Sequence, residues 1–127
     1  MRTRLTVLGA LATLLAALIA LASLVFGVAG ALGKGGEVNH TTAIPNLLTG
    51  IVCALAVAAF LRRRREWFGL ALAGAVGHFA GHAMLLSRLG DRGGVNAGRL
   101  AGLFAVPILW LVAVLIMRQS REAVSQP

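Results

Sequence analysis

Acidic residues are scarce in this chain: it has four, and none of them lies within its long apolar segments. Only 13% of its residues are charged, whereas an ordinary soluble domain has about 25%. The single cysteine, Cys53, excludes an internal disulfide bond and any cysteine-rich zinc or iron–sulfur site. No catalytic serine–histidine–aspartate or cysteine–histidine arrangement and no phosphate-binding glycine loop stands out. We therefore expect a protein that is not an enzyme.

Long apolar segments are what the chain has instead, and 58% of its residues are hydrophobic. Four such segments span about residues 5–32, 42–61, 67–87 and 100–117, with short connectors between them. Each is long enough to cross a hydrocarbon core of about 30 Å as a helix. The sequence predicts an all-α fold, an integral membrane four-helix bundle that forms a single transmembrane domain over residues 1–127.

The first apolar segment also has features of a signal peptide. It follows the basic start MRTR, and Ala20-Leu21-Ala22 resembles a cleavage site. The apolar core of a signal peptide is usually about 7–15 residues long, however, and this segment continues well past Ala22. The sequence therefore favours a first helix that is retained.

Basic residues are unevenly distributed among the connectors. Eight lie at the N-terminus, in the run 62–65 and in the C-terminal tail: Arg2, Arg4, Arg62, Arg63, Arg64, Arg65, Arg118 and Arg121. Four lie in the other two connectors: Lys34, Arg88, Arg92 and Arg99. The positive-inside rule places the richer side in the cytoplasm, which gives an N-in, C-in protein of the cytoplasmic membrane. A composition with one lysine and no tyrosine suggests a GC-rich bacterial source.

The run Arg62–Arg65 is the most compact basic feature. We interpret it as a cytoplasmic anchor that touches anionic lipid headgroups. The net charge of +8 also raises the question of nucleic-acid binding. Because the charge lies in the connectors and no nucleic-acid-binding motif accompanies it, we expect the lipid bilayer rather than nucleic acid as the partner.

Small residues form two stripes at helical spacing. The stripe on the first segment consists of Gly9, Thr13, Ala16, Ala20, Ser23, Gly27 and Gly30. The stripe on the third consists of Gly69, Ala73, Gly77 and Gly81. Small residues let two helix backbones approach closely, and this is how membrane helices gain packing energy. We expect close helix crossings at both stripes, and for the second one a crossing within the bundle or in a homodimer.

Two histidines, His78 and His82, lie four residues apart in the third segment. On a helix they share one face beside the glycine stripe, and His78 lies close to the bilayer midplane. An imidazole at that depth is expected to be neutral, with one donor and one acceptor to satisfy. The simplest expectation is that each ring bonds a carbonyl or a hydroxyl of the bundle, and no cofactor is then needed.

Three functional alternatives stay open for this pair. A metal site would need further ligands: His40 could approach His82 if the second and third segments are neighbours, and Asn39, Asn46 and Met84 are weaker candidates. A haem would need an axial ligand from another helix, and a proton or substrate path would use the histidines as intramembrane ionisable groups. In size and topology the chain resembles the small four-helix drug–proton antiporters. Their function depends on a glutamate in the first helix, and no segment of this chain contains one.

The leading functional hypothesis is a small multi-pass bacterial membrane protein that acts through helix association, as an oligomer or as an accessory subunit. It depends on the two small-residue stripes and on the lack of a catalytic arrangement. The alternative is a small transport or redox component in which His78 and His82 handle a metal ion, a haem or a proton.

Overall fold

The computed structural model describes residues 6–91 and 96–126, and all regular structure within these ranges is helical. The helices are α1 (Val7–Ala31), α2 (Gly36–Thr41), α3 (Ala43–Leu61), α4 (Trp67–Asp91) and α5 (Ala97–Ser125). The four long helices are each long and apolar enough to cross a membrane. An all-α fold with four such helices is therefore confirmed, and it fits a multi-pass membrane protein.

The helix ends differ from the predicted segments where the chain is polar. α5 begins at Ala97 and ends at Ser125, eight residues past Met117, and α4 continues past Ser87 to Asp91. Hydropathy marks only the apolar part of a helix, whereas the backbone ladder continues into the polar flanks. Leu5, at which the first segment was predicted to begin, and the basic residues Arg2, Arg4 and Arg92 lie outside the described residues.

The connector after α1 contains α2, a short helix that the hydropathy pattern does not indicate. Gly33 and Gly36 have φ angles of 74° and 82°, a left-handed conformation that glycine adopts without strain. Gly33 lies between α1 and α2, and Gly36 is the first residue of α2. At the other end of the bundle, Arg63, two residues past the end of α3, has a φ angle of 57°.

The long helices form a closed ring in which α1 packs on α3, α3 on α4, α4 on α5, and α5 on α1. Alanine is the commonest residue of the interior, which also contains a few large side chains that are almost fully buried: Trp110, Met117, Val114 and Pro107. Pro107 lies inside α5, which remains helical on both sides of it. Short connectors between neighbouring helices account for the order of the ring.

The small-residue stripe of α1 forms the packing seam that the sequence predicts. Six of its seven members are buried: Gly9, Thr13, Ala16, Ala20, Gly27 and Gly30. A Cβ atom on Gly27 would lie 2.6 Å from Leu47 Cγ and 2.7 Å from the Leu47 backbone nitrogen. The backbones of α1 and α3 thus approach so closely at this point that only glycine fits.

Candidate functional site

His78 lies in the interior of the bundle, on the face of α4 that meets α3 and α5. Its side chain is 4% exposed. Its Nε2 atom lies 3.5 Å from the Sγ atom of Cys53 on α3, and its ring centroid lies 5.8 Å from that of Trp110 on α5. The imidazole therefore has a polar partner and an aromatic neighbour within the protein, and that partner is a thiol rather than the carbonyl or hydroxyl expected from the sequence.

Glycine at position 74 makes room for these side chains. A Cβ atom on Gly74 would lie 2.7 Å from Cys53 Sγ and 3.3 Å from Trp110 Cζ2. Trp110 in turn donates its Nε1–H to the carbonyl of Ala71, one turn earlier on α4, at 2.9 Å. We call Cys53, Gly74, His78 and Trp110 the mid-bundle cluster. It connects three of the four long helices through one buried set of contacts.

His82 is half-buried and bonds within its own helix. Its Nδ1 atom contacts the carbonyl of His78, and because a carbonyl only accepts, Nδ1 is the donor. The two histidine rings lie 6.3 Å apart between centroids. His82 is therefore near His78 but does not share its partner Cys53.

His40 lies in the α1–α3 connector, exposed, and its Nδ1–H donates to the carbonyl of Gly30 at 2.9 Å. Each of the three histidines thus has a different immediate partner. Within residues 6–91 and 96–126, no three side chains of histidine, cysteine, aspartate or glutamate lie together as a metal-binding group. α3 and α4 are neighbours, as a metal site that includes His40 would require.

The predicted packing stripe of α4 divides between two surfaces. Gly77 faces α3, where an added Cβ atom would lie 2.6 Å from Thr49 Oγ1, and Gly81 lies near Pro45. Gly69 and Ala73 instead lie on the outer surface of the bundle, and a Cβ atom on Gly69 would meet nothing within 4 Å. Half of the stripe is thus used within the chain and half is left uncovered.

The outer surface of α4 differs from those of the other long helices. The spanning part of α4 has a mean hydropathy of 1.4 and is 22% buried. The spanning parts of the other three long helices have mean hydropathies of 2.2 to 2.7 and are 28% to 33% buried. Small side chains line it on both sides of the exposed Val76: Gly69, Ala73, Ala80 and Ala83. Leu72 and Met84 are also exposed on α4, but α1 and α3 expose more large side chains, such as Leu18 and Leu55. We call Gly69, Ala73, Val76, Ala80 and Ala83 the α4 outer face.

The run Arg62–Arg65 is exposed and forms the turn between α3 and α4. The extension of α5 reaches this turn, where Arg121 donates from Nη1 to the carbonyl of Arg64 at 3.3 Å. Arg121 also lies over the ring of Phe60 at 5.8 Å, and Arg118 over the ring of Phe68 at 4.8 Å. Arginines of the tail and of the turn thus form one basic end, where the cations of Arg118 and Arg121 lie over aromatic rings.

Sequence reasoning missed the contact of Cys53 with His78, although a signal for it exists. Counted from the 62–65 turn that joins their helices, Cys53 and His78 lie about 14 Å and 20 Å into the bundle. Polar side chains at similar depth on two helices joined by a short connector are candidates for contact. No protein-family model, curated protein or solved structure matches this chain, so the functional interpretation depends on its own geometry.

Proposed function

We propose that this chain is a small multi-pass protein of a bacterial cytoplasmic membrane that acts, without enzymatic activity, through helix association as an oligomer or an accessory subunit. The single observation that carries the proposal is the α4 outer face. Small residues line it, and the span to which it belongs has the lowest mean hydropathy and the least burial of the four.

Close approach of a second helix is what such a face favours. Lipid tails are as apolar as the surface of a membrane helix, so the hydrophobic effect does not drive such helices together. Their association depends instead on van der Waals packing between surfaces that fit. Val76, which is 68% exposed, stands between the small residues Ala73 and Ala80. A facing copy of α4 has the same arrangement, so each Val76 would insert into the hollow beside Ala73 or Ala80 of the other copy.

The experiment compares two Ala→Leu variants of equal size change. Ala73→Leu fills the hollow on the α4 outer face, whereas Ala22→Leu adds the same side chain on the outer surface of α1. Self-association is measured in lipid bilayers by energy transfer between labelled copies. We expect Ala73→Leu to weaken association and Ala22→Leu to leave it unchanged.

The accessory-subunit form is tested by a photo-crosslinking residue placed at position 73 in native membranes. Covalent capture of a membrane protein from position 73, with no capture from position 22, supports it. A chain that is strictly monomeric in mild detergent and in bilayers, and that crosslinks to no protein from position 73, overturns the proposal in both forms.

An N-in, C-in orientation is part of the proposal. It is supported by the shared location of Arg62–Arg65 and the α5 extension at one end, with Lys34 and Arg88 at the other. In a Cys53→Ser background, a membrane-impermeant maleimide should label Lys34→Cys in intact cells. Arg64→Cys should react only after permeabilisation, and the reverse pattern would refute the orientation.

A second candidate function is ion or redox handling at His78 and His82. The observation that favours it is the approach of Cys53 Sγ to His78 Nε2 at 3.5 Å, since thiolate and imidazole together bind zinc and copper(I). Metal analysis and the absorption spectrum of the purified protein test it. Stoichiometric metal or a Soret band that is lost in His78→Ala supports this function, and a protein free of both excludes its metal and haem forms and leaves only proton handling.

A further inference from the structure

A cavity of about 280 Å³ opens at the basic end, between the end of α3 and the extension of α5. Its wall contains two arginines, Arg63 and Arg121, and two serines, Ser120 and Ser125. Its apolar part is formed by Phe60, Leu61 and Val124. None of the described residues that line it is acidic.

Arg121 is held in place beside this cavity. One of its N–H donors is used by the Arg64 carbonyl, and its guanidinium lies over Phe60. A guanidinium has five N–H donors in a fixed fork, so donors remain for an anion. The nearest glutamate on the same helix, Glu122, is paired with Arg118 at 2.9 Å. The basic character of the cavity is therefore not neutralised by that residue.

The cavity lies at the depth of lipid headgroups. Met117 is the last residue of the apolar segment. Along the helix, Ser120 lies about 5 Å beyond it and Ser125 about 12 Å beyond it. The headgroup layer of a bilayer extends about 5–8 Å beyond the hydrocarbon core on each side, so Ser120 and Arg121 lie at its depth. A ligand with a phosphate at the arginines and an acyl chain along Leu61 would place both parts in matching surroundings.

We propose that this cavity binds an anionic phospholipid, with the headgroup phosphate between Arg63 and Arg121 and an acyl chain running along Leu61. Planar guanidinium groups bind phosphate oxygens through paired, charge-assisted hydrogen bonds. The apolar part of the wall selects a lipid over a free phosphate ion. This site is separate from the α4 outer face, so either proposal can fail without the other.

The test titrates the purified full chain in detergent with phosphatidylglycerol or phosphatidylcholine and measures bound lipid by native mass spectrometry. We expect tighter binding of phosphatidylglycerol. Arg121→Gln should weaken that binding about tenfold or more, because charge-assisted bonds are lost. Arg65→Gln removes the same charge from a side chain outside the cavity wall, and it should weaken binding less than about fivefold.

Arg63→Gln provides a second variant on the other side of the cavity, and melting curves in lipid-free detergent report whether each variant is folded. Loss of binding in folded Arg63→Gln or Arg121→Gln, with binding kept in Arg65→Gln, supports the site. Equal weakening in all three variants would show a diffuse attraction and overturn it. Equal binding of phosphatidylcholine, or displacement of the lipid by inorganic phosphate alone, would overturn it as well.

Discussion

The Nε2 atom of His78 lies 3.5 Å from the Sγ atom of Cys53, in a region of the bundle where both side chains are buried. This contact gives a polar side chain at mid-membrane depth a partner on the neighbouring helix. Among the described residues, no buried side-chain nitrogen or oxygen lacks a hydrogen-bond partner. Burial of the imidazole therefore carries no penalty for an unsatisfied group, and the contact also joins α3 to α4.

The first prediction concerns the coupling of this pair. Cys53→Ala should lower the free energy of unfolding by about 1–3 kcal/mol, because it leaves an imidazole nitrogen without its partner in a buried site. His78→Ala alone should also lower the free energy of unfolding. The double variant should lower it by about 0.5–1.5 kcal/mol less than the sum of the two single effects. Unfolding in mixed micelles with increasing SDS measures all four proteins of the cycle.

Cys53→Ser is the control for this cycle. A hydroxyl keeps a hydrogen-bonding group at position 53, so this variant should be closer to the original protein than Cys53→Ala is. Strictly additive effects of Cys53→Ala and His78→Ala would contradict an energetic role for the contact.

The second prediction is a graded series of Gly→Ala changes. At Gly27 the new Cβ atom meets the Leu47 backbone nitrogen at 2.7 Å, at Gly77 it meets the Thr49 side chain at 2.6 Å, and at Gly102 it meets nothing within 4 Å. Backbone moves less readily than a side chain, so Gly27→Ala should cost most, with about 1–3 kcal/mol or more. Gly77→Ala should cost less.

Gly102→Ala serves as the control for the series. It should be neutral or stabilise the protein by up to about 1 kcal/mol, since alanine favours the helix. The same SDS unfolding curves decide the order, and a Gly27→Ala protein as stable as Gly102→Ala would show that the α1–α3 crossing is looser than described.

Hydropathy and small-residue spacing were sufficient to predict the four long helices and the α1 seam. Both follow from local chemistry: a spanning helix needs an apolar stretch, and a close crossing needs small side chains at helical spacing. The extension of α5 to Ser125 was not predictable in this way. It is polar and depends on contacts such as that of Arg121 with the Arg64 carbonyl, 57 residues away in the chain.

The candidate site, too, could be predicted only in part from the sequence. The small residues of α4 could be identified from the sequence, but which of them face inward could not, because that depends on the rotation of the helix. Cys53, His78 and Trp110 meet on three helices, and the rotation of each helix decides whether they do. The spacing of His78 and His82 drew attention to the pair, whereas the buried partner of His78 lies on α3.

The third prediction tests the indole of Trp110. Trp110→Phe removes the Nε1–H bond to the buried Ala71 carbonyl and leaves a small void beside His78. We expect a loss of about 1–3 kcal/mol in the free energy of unfolding. Trp67→Phe is the comparison, since Trp67 packs edge-on against the Phe60 ring at 4.8 Å and phenylalanine keeps that type of contact. A Trp110→Phe protein that loses no more than Trp67→Phe would show that the indole bond contributes little.

The fourth prediction concerns the start of α1, which is tied to the extension of α5. Thr6 Oγ1 accepts from the Gly9 backbone N–H at 3.0 Å and lies 2.8 Å from Ser120 Oγ. Ser120 Oγ also accepts from the Thr6 backbone N–H at 3.3 Å, so Ser120→Ala removes both contacts between the helices and should cost about 1 kcal/mol. Thr6→Ala keeps this backbone contact but removes the helix cap together with the contact between the two hydroxyls, and it should cost about 1 kcal/mol more.

Hydrogen exchange at the amides of Val7–Ala10 separates these two effects. Thr6→Ala should speed exchange there more than Ser120→Ala does, because the cap bond to Gly9 is lost only in the first variant. Ser125→Ala is the matched serine control: its hydroxyl bonds the Glu122 carbonyl at the exposed end of α5, far in sequence from α1, so it should leave exchange at Val7–Ala10 unchanged. Faster exchange in Ser125→Ala to the same extent as in Ser120→Ala would mean that the α5 extension stabilises α1 as a whole helix, and that the Ser120–Thr6 contact is not the specific tie.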